Sequence, residues 1–138
     1  MSHTPLKLRV LLVEDEPDTA LTFSTLFHHW GHLASVAKEP TAALRLAEQS
    51  VPDVIIVDIG LPGGMNGYQL AAKIRQRWPG KPPYLIAVTG HGMEDDRRQS
   101  REAGIDLHLV KPVDPDRLKC ILDQCEKGAG SRSGAESA

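Results

Sequence analysis

The sequence predicts an α/β protein: a doubly wound, five-stranded parallel sheet with five helices and strand order 2-1-3-4-5. Three observations carry that reading. Short apolar runs of strand length alternate with longer stretches of helical spacing along the 138 residues. The best of these runs are apolar at consecutive positions, as strands covered on both faces are, whereas a strand with one wet face would alternate. Breaker residues separate the segments, most densely at Pro79-Gly80-Lys81-Pro82-Pro83. Such alternation calls for right-handed crossovers with helices on both faces of the sheet, and the 2-1-3-4-5 order is the usual solution at this size.

The first strand is read over residues 8–13. Pro17 then opens a helix with Phe23, Leu26, Phe27 and Trp30 along one side and Leu21, Ser24, Thr25 and His28 along the other, and Gly31 stops it. Residues 33–37 supply a second strand, and 41–49 a helix carrying Ala43, Leu44 and Ala47. The strongest strand is 53–58, with β-branched residues at all of 54–57. A third helix over 68–78 groups Leu70, Ala71 and Ile74, and strands follow at 84–88 and, more weakly, 105–110. Between them 94–102 reads as a fourth helix with no large apolar residue, leaving Met93 and Ala103 to dock it, so it is expected to be held weakly or to face a partner. Asp114 caps the last helix and Pro115 begins it, with Leu118, Ile121, Leu122 and Cys125 at i, i+3, i+4 and i+7. One domain over 6–127 is expected, followed by a flexible tail over 128–138. There is no internal repeat.

The length is enough to bury a core without disulfides or a metal staple. A hydrophobic fraction of 41%, a charged fraction of 25% and a net charge of -2 offer no broad basic surface, so no nucleic-acid partner is expected. No apolar run approaches the ~20 residues that span a bilayer, and residues 1–7 lack the apolar stretch of a secretory signal, so a cytoplasmic protein without a membrane partner is expected. Cys120 and Cys125 lie about 140° apart round one helix, which disfavours a bond between them. They read as reduced thiols, Cys125 packing into the core.

In an open parallel sheet, ligands gather beyond the carboxyl ends of the strands, where the strand order reverses. Strand one ends at Glu14 and Asp15, strand three at Asp58, strand four at Thr89 and strand five at Lys111. Three carboxylates brought together there repel by ~3–4 kcal/mol per pair at ~4.5 Å and an effective dielectric near 20. Lys111 supplies one compensating charge and a hard divalent cation the rest. Mg2+ suits a site with few protein carboxylates and room for waters and a phosphoryl oxygen. Any one acid at a strand end can be a helix cap or turn former, Asp15 ahead of Pro17 in particular. Five such residues at four strand ends are not accounted for that way.

Val13-Glu14-Asp15-Glu16, Val57-Asp58-Ile59-Gly60-Leu61-Pro62, Gly67 opening a helix, Val88-Thr89-Gly90 and Val110-Lys111-Pro112 stand in an order and spacing that resembles the receiver domain of two-component response regulators, over about residues 6–126. The resemblance implies a flavodoxin-like fold and a role in phosphorelay signalling. It implies that Asp58 is the phosphoacceptor, its carboxylate attacking the phosphorus of a phosphohistidine on a histidine kinase or histidine phosphotransfer protein. Asp15, Glu14 through water, Asp58 and the backbone carbonyl of Gly60 would hold Mg2+. Lys111 would pair with Asp58 and then with a phosphoryl oxygen, while Thr89 donates its hydroxyl to another and draws the following loop inward. Charge spread over three equatorial oxygens makes positioned cations the main catalytic need. The same site would hydrolyse the phosphoaspartate slowly. On this reading the chain is a phosphoacceptor signalling domain, not an enzyme with a separate substrate.

Two departures from the family pattern stand out. Two positions before Val110, where the family usually has Tyr or Phe, stands His108; an imidazole is smaller than a phenol and can bring pH sensitivity to a switch shared with Thr89. The loop over 62–67 is one residue longer than in many receivers, with Gly63 and Gly64 expected to absorb the extra length. The resemblance also implies a cis Lys111–Pro112 bond. His91 follows Thr89 closely enough to line the site and affect dephosphorylation. A surface metal site at His28, His29 and His32 is not expected, because Gly31 breaks the helical geometry that would align them.

A haloacid-dehalogenase-type phosphatase would need a second acid two residues after Asp58, where Gly60 stands. A small-molecule-binding flavodoxin-like domain would want a Gly- or hydroxyl-rich loop after strand one, where three acids repel phosphate. Within the receiver class, a stand-alone messenger, a phosphate shuttle or sink, and the receiver segment of a hybrid sensor kinase stay open. No output module is read after residue 127. Output is therefore expected through noncovalent contact of the fourth helix, strand five and the last helix, from a monomer or weak dimer.

Overall fold

The computed structural model describes residues 8–60, 65–90 and 103–128. Five parallel strands, β1 (Arg9–Val13), β2 (Leu33–Ala37), β3 (Val54–Asp58), β4 (Tyr84–Thr89) and β5 (Leu107–Val110), lie in the order 2-1-3-4-5, as the sequence predicts. The described helices are α1 (Pro17–His29), α2 (Pro40–Gln49), α3 (Gly67–Arg77) and α4 (Pro115–Gly128), so the last helix runs through Gly128, the first residue expected in the tail. The expected helix over 94–102 with Met93, Gly63, Gly64, His91 and residues 129–138 lie outside the described residues. No helix among the described residues is long and apolar enough to cross a membrane.

Because side chains alternate across a strand, the sheet divides its own residues into two cores. Leu11, Val13, Ile55, Val57 and Leu85 pack with Ala43 and Ala47 of α2 and Leu70 and Ile74 of α3. Val10, Leu12, Val54, Ile56, Ile86 and Val88 pack with Ala20 and Phe27 of α1 and Leu118 and Leu122 of α4. The continuous apolar run of β3 is thereby explained: besides Asp58 at its end, which is also buried, Ile55 and Val57 face one core and Val54 and Ile56 the other. Burying each such side chain favours folding by roughly 1.5–3 kcal/mol. β2 differs. It is an edge strand with Leu33 and Ser35 exposed, so its burial alternates.

The helix starts follow from local chemistry. Glu16 caps α1, its Oε1 accepting the Thr19 N–H at 2.7 Å. Asn66 and Gln69 form a reciprocal capping box on α3 at 2.9 Å each way. Asp114 caps α4 as expected, accepting the Asp116 N–H at 3.0 Å. On α1 Ala20 and Phe27 are buried, Phe23 and the C-cap residue Trp30 pack partly buried against them, and Leu21 faces solvent. Cys125 packs against the α1–α4 core and Cys120 is exposed, both as free thiols.

Strand register is fixed at the end of the sheet opposite the acids. Asp53 accepts the Arg9 N–H on Oδ2 at 2.8 Å and returns its own N–H to the Arg9 carbonyl at 2.8 Å, tying β3 to β1. Asp106 does the same for β5 and β4 through Leu85, again at 2.8 Å in both directions. His32 is buried, with Nδ1 accepting the Leu8 N–H at 3.3 Å. Its own backbone N–H donates to the Phe27 carbonyl at 2.9 Å.

Candidate functional site

The register delivers the site. Val13 pairs with Val57, so Glu14 and Asp58 stand one position beyond the same rung. Asp58 pairs with Val88, Thr89 pairs with Val110, and Lys111 follows with its N–H on the Thr89 carbonyl at 2.8 Å. By the alternation of the strands, Glu14 and Asp58 continue the Leu12 and Ile56 face, over α1 and α4. Thr89 continues the opposite face, which it shares with His108, the register partner of Ala87.

Asp58 is only 8% exposed and both its oxygens are engaged. Oδ2 accepts from Lys111 Nζ at 3.0 Å, and Oδ1 accepts the Gly60 N–H at 3.0 Å. The second bond is a turn that an Asp forms with the amide two residues on, and the Asp-x-Gly spelling carries a signal for it. The sequence reading used only the Gly60 carbonyl. Ligand atoms of Glu14, Asp15 and Asp58 all lie within 4.8 Å of one another, Asp15 exposed and the other two buried. This all-carboxylate, all-oxygen donor set fits a hard divalent cation such as Mg2+, which offsets the repulsion the cluster otherwise carries.

The electrostatics agree with that crowding. Burial pushes the Glu14 carboxyl above its usual range, and the charges of Asp58 and Asp15 push the same way, against the Glu16 N–H bond and Lys111. For Lys111, burial works to lower the ammonium, yet the hydrogen bond and charge of Asp58, with Glu14 and Asp15, leave it raised. It stays an ammonium. Glu14 Oε2 accepts the Glu16 N–H at 3.0 Å, which orients the acid and opens α1 in one stroke. Glu16 itself, the third acid of the run, serves as the helix cap; sequence reading allowed that role to Asp15 instead.

Thr89 is buried at the end of β4. His108 is half-buried on β5, and its Nε2 is buried with no hydrogen-bond partner among the described residues. The Lys111–Pro112 peptide is cis, as expected. Gly67 opens α3 against the strand end: a Cβ there would stand 2.8 Å from Ile59 Cα and 3.0 Å from Val57 Cγ1, so only a glycine fits without displacement. Below the acidic rim a cavity of about 510 Å3 runs between the sheet, α1 and the start of α4.

Comparison with known proteins bears directly on this arrangement. The family model for the response regulator receiver domain matches residues 10–123. An uncharacterized 14.6 kDa protein from Leptolyngbya boryana is 31% identical over 88% of this chain and 92% of that one. Response regulator Rre1 of Synechocystis is 32% identical over 95% of this chain but only 58% of its own length. Among solved structures, the receiver domain of sensor histidine kinase PA1611 from Pseudomonas aeruginosa superposes with a TM-score of 0.78 at 28% identity, covering 88% of this chain and 99% of that one. That domain was solved with a magnesium ion coordinated in its active-site cleft.

Proposed function

Since the chain belongs to the response regulator receiver family and so to two-component phosphorelay signalling, we propose that Asp58 is the residue on which it accepts the phosphoryl group. The observation that carries this reading is a buried carboxylate held at once by Lys111 Nζ and the Gly60 N–H, each at 3.0 Å, beside two further carboxylates. A carboxylate so fixed has lost its freedom to rotate before the donor arrives, which is the entropic part of catalysis. An Asp58 oxygen forms the new bond to phosphorus as the P–N bond of a phosphohistidine breaks, and the departing imidazole keeps the bonding pair and takes a proton. Lys111 then follows the charge from the carboxylate to a phosphoryl oxygen, and Thr89 donates its hydroxyl to another.

Asp15, Asp58, the Gly60 carbonyl and Glu14 through water would hold Mg2+. Bound there, the ion supplies neutralisation of the charge that spreads over the transferring oxygens. The same polar groups would position water for slow hydrolysis of the phosphoaspartate, so the domain takes part in its own dephosphorylation.

His108 is proposed as the second switch element. Its Nε2 is buried without a hydrogen-bond partner among the described residues, and a second arrangement that satisfies it would recover ~1–3 kcal/mol once Thr89 moves. The phosphodonor is a histidine kinase or a histidine phosphotransfer protein, and exchange with an ATP-fed kinase would put the chain in the cytoplasm. Output would pass through β5, α4 and residues 94–102; Val110 of β5 is 44% exposed, which supports a contact there. The domain is proposed to act over residues 6–127, as a monomer or weak dimer, without nucleic acid.

The test is incubation with acetyl phosphate and Mg2+, followed by intact mass. One hydroxylamine-labile phosphoryl group is expected on the parent and none on Asp58→Ala. Equal labelling of both proteins, or of neither, would overturn the assignment.

A further inference from the structure

Phosphoryl transfer uses the charged rim of the cavity between the sheet, α1 and α4 but not its apolar body. Its volume of about 510 Å3 lies inside the ~300–1,000 Å3 range of pockets that take small molecules. The walls are apolar: Leu12 and Ile56 from the sheet, Phe23 and Phe27 from α1, Val113 and Leu118 on the α4 side. The mouth is charged and unbalanced, with Glu14, Glu16 and Asp58 set against Lys111 alone. Lys111 is committed to Asp58 at 3.0 Å. Glu14 is 6% exposed; its Oε2 accepts the Glu16 N–H, and no described residue hydrogen-bonds its Oε1. A rim that carries three carboxylates against one committed ammonium, at the head of an apolar cavity, favours a ligand with a cationic donor.

We propose that this cavity binds a small organic cation, a primary amine with an aryl or alkyl body, whose ammonium meets Glu14 and Asp58 while its chain lies between α1 and α4. An anion with the same body would meet a net negative mouth, and a neutral alcohol would bring a weaker donor. The ammonium and Mg2+ would draw on the same carboxylates. The amine therefore holds off the metal and, with it, phosphorylation; this regulatory consequence rests on the phosphoacceptor reading, whereas the binding itself does not.

The full chain is titrated by NMR in the presence of a chelator with phenylbutylamine, phenylbutanol and phenylbutyrate. The amine is expected to bind at least ~10-fold more tightly than the other two, and saturating Mg2+ to weaken it ~10-fold, the scale of one charge-assisted hydrogen bond. Val113→Phe fills the cavity without touching a carboxylate and should weaken the amine ~10-fold while Mg2+ affinity is retained; Thr19→Met fills it from α1 and serves if Val113→Phe does not fold. Equal affinity for all three probes would overturn the proposal, as would an amine affinity indifferent to a folded cavity-filling variant. Acetyl phosphate labelling without the amine separates the two readings: labelling with no amine binding removes this site alone, and amine binding with no labelling removes the phosphoacceptor role alone.

Discussion

Replacing Asp58 by Asn removes one charge from the rim and keeps the shape of the side chain. The carboxylate atoms of Glu14, Asp15 and Asp58 lie within 4.8 Å of one another, and a like-charged pair at that separation costs ~3.5 kcal/mol at an effective dielectric near 20. Asp15 is exposed, and water screens its share toward ~1 kcal/mol. Opposing this, Lys111 at 3.0 Å from Oδ2 would give ~5.5 kcal/mol at the same dielectric. Its side chain is 44% exposed, however, which brings that attraction down to ~2–3 kcal/mol. Repulsion wins by ~2 kcal/mol, while an Asn oxygen still accepts the Gly60 N–H. In a chelator at pH 8, Asp58→Asn should therefore melt ~3–8 °C above the parent. The gain should shrink on acidification, because the raised Glu14 carboxyl takes up its proton early and relieves the same repulsion. Adding Mg2+ at ten times its Kd should stabilise the parent by ~1.4 kcal/mol and the variant by less, narrowing the gap. Melts followed by circular dichroism with and without Mg2+ check both halves. A variant less stable than the parent in chelator, or one that gains as much from Mg2+, would refute the charge accounting.

Three further outcomes are expected. Burial depresses the His32 imidazole, against the pull of Glu126 and Asp123, so the unfolded chain binds this proton first; stability is complete above pH ~6.5 and falls by up to ~1.4 kcal/mol per pH unit as pH drops toward the depressed folded value. His32→Gln should flatten that slope in urea melts at pH 7.5 and 5.5 (roughly one unit either side of the free value), and an identical slope would discount burial of this ring as its source. Gly67→Ala forces a methyl against Ile59 Cα and should cost ~1–3 kcal/mol, read as a lower urea midpoint; no change would mean that the strand end yields freely. With beryllofluoride and Mg2+ as a phosphoryl mimic, the amide shifts at Thr89 and Val110 should be smaller in His108→Ala, and shifts matching the parent would retire His108 as a switch element.

Much of this was legible because burial and chemistry coincide in the spelling. β3 reads as a doubly covered strand from Val54 to Val57, and the acid that ends it is where the sheet opens to solvent. The same holds for Glu14 after Val13 and Lys111 after Val110. What the sequence withheld depends on partners distant along the chain. His32 is a core residue only because Leu8, twenty-four positions away, offers it an unpaired amide. Leu21, on the side of α1 away from Phe23 and Phe27, is 67% exposed, and the residue that spacing did not single out is Ala20, which packs beside them. Glu16 rather than Asp15 caps α1 because the chain must first leave the sheet, which takes both acids before it.

The site's assembly depends on residues at the opposite end of the sheet. A slip of one position between β1 and β3 would move Asp58 to the Val57 face and away from Glu14, since side-chain direction has a period of two. Apolar burial alone resists such a slip weakly in β3, where both faces are covered and either set of side chains suits a core. Asp53 supplies the missing specificity: its paired bonds to Arg9 set the β1–β3 register, and Asp106 sets β4–β5 in the same way through Leu85. A slip would leave these strand-start amides unpaired and push Asp58 or Asp53 into the apolar interior, at a cost of several kcal/mol for a buried charge. Two acids with no part in phosphoryl chemistry thus fix which face the three reactive ones share. Lys111 comes to Asp58 by the same means, along a β4–β5 register that begins at Asp106.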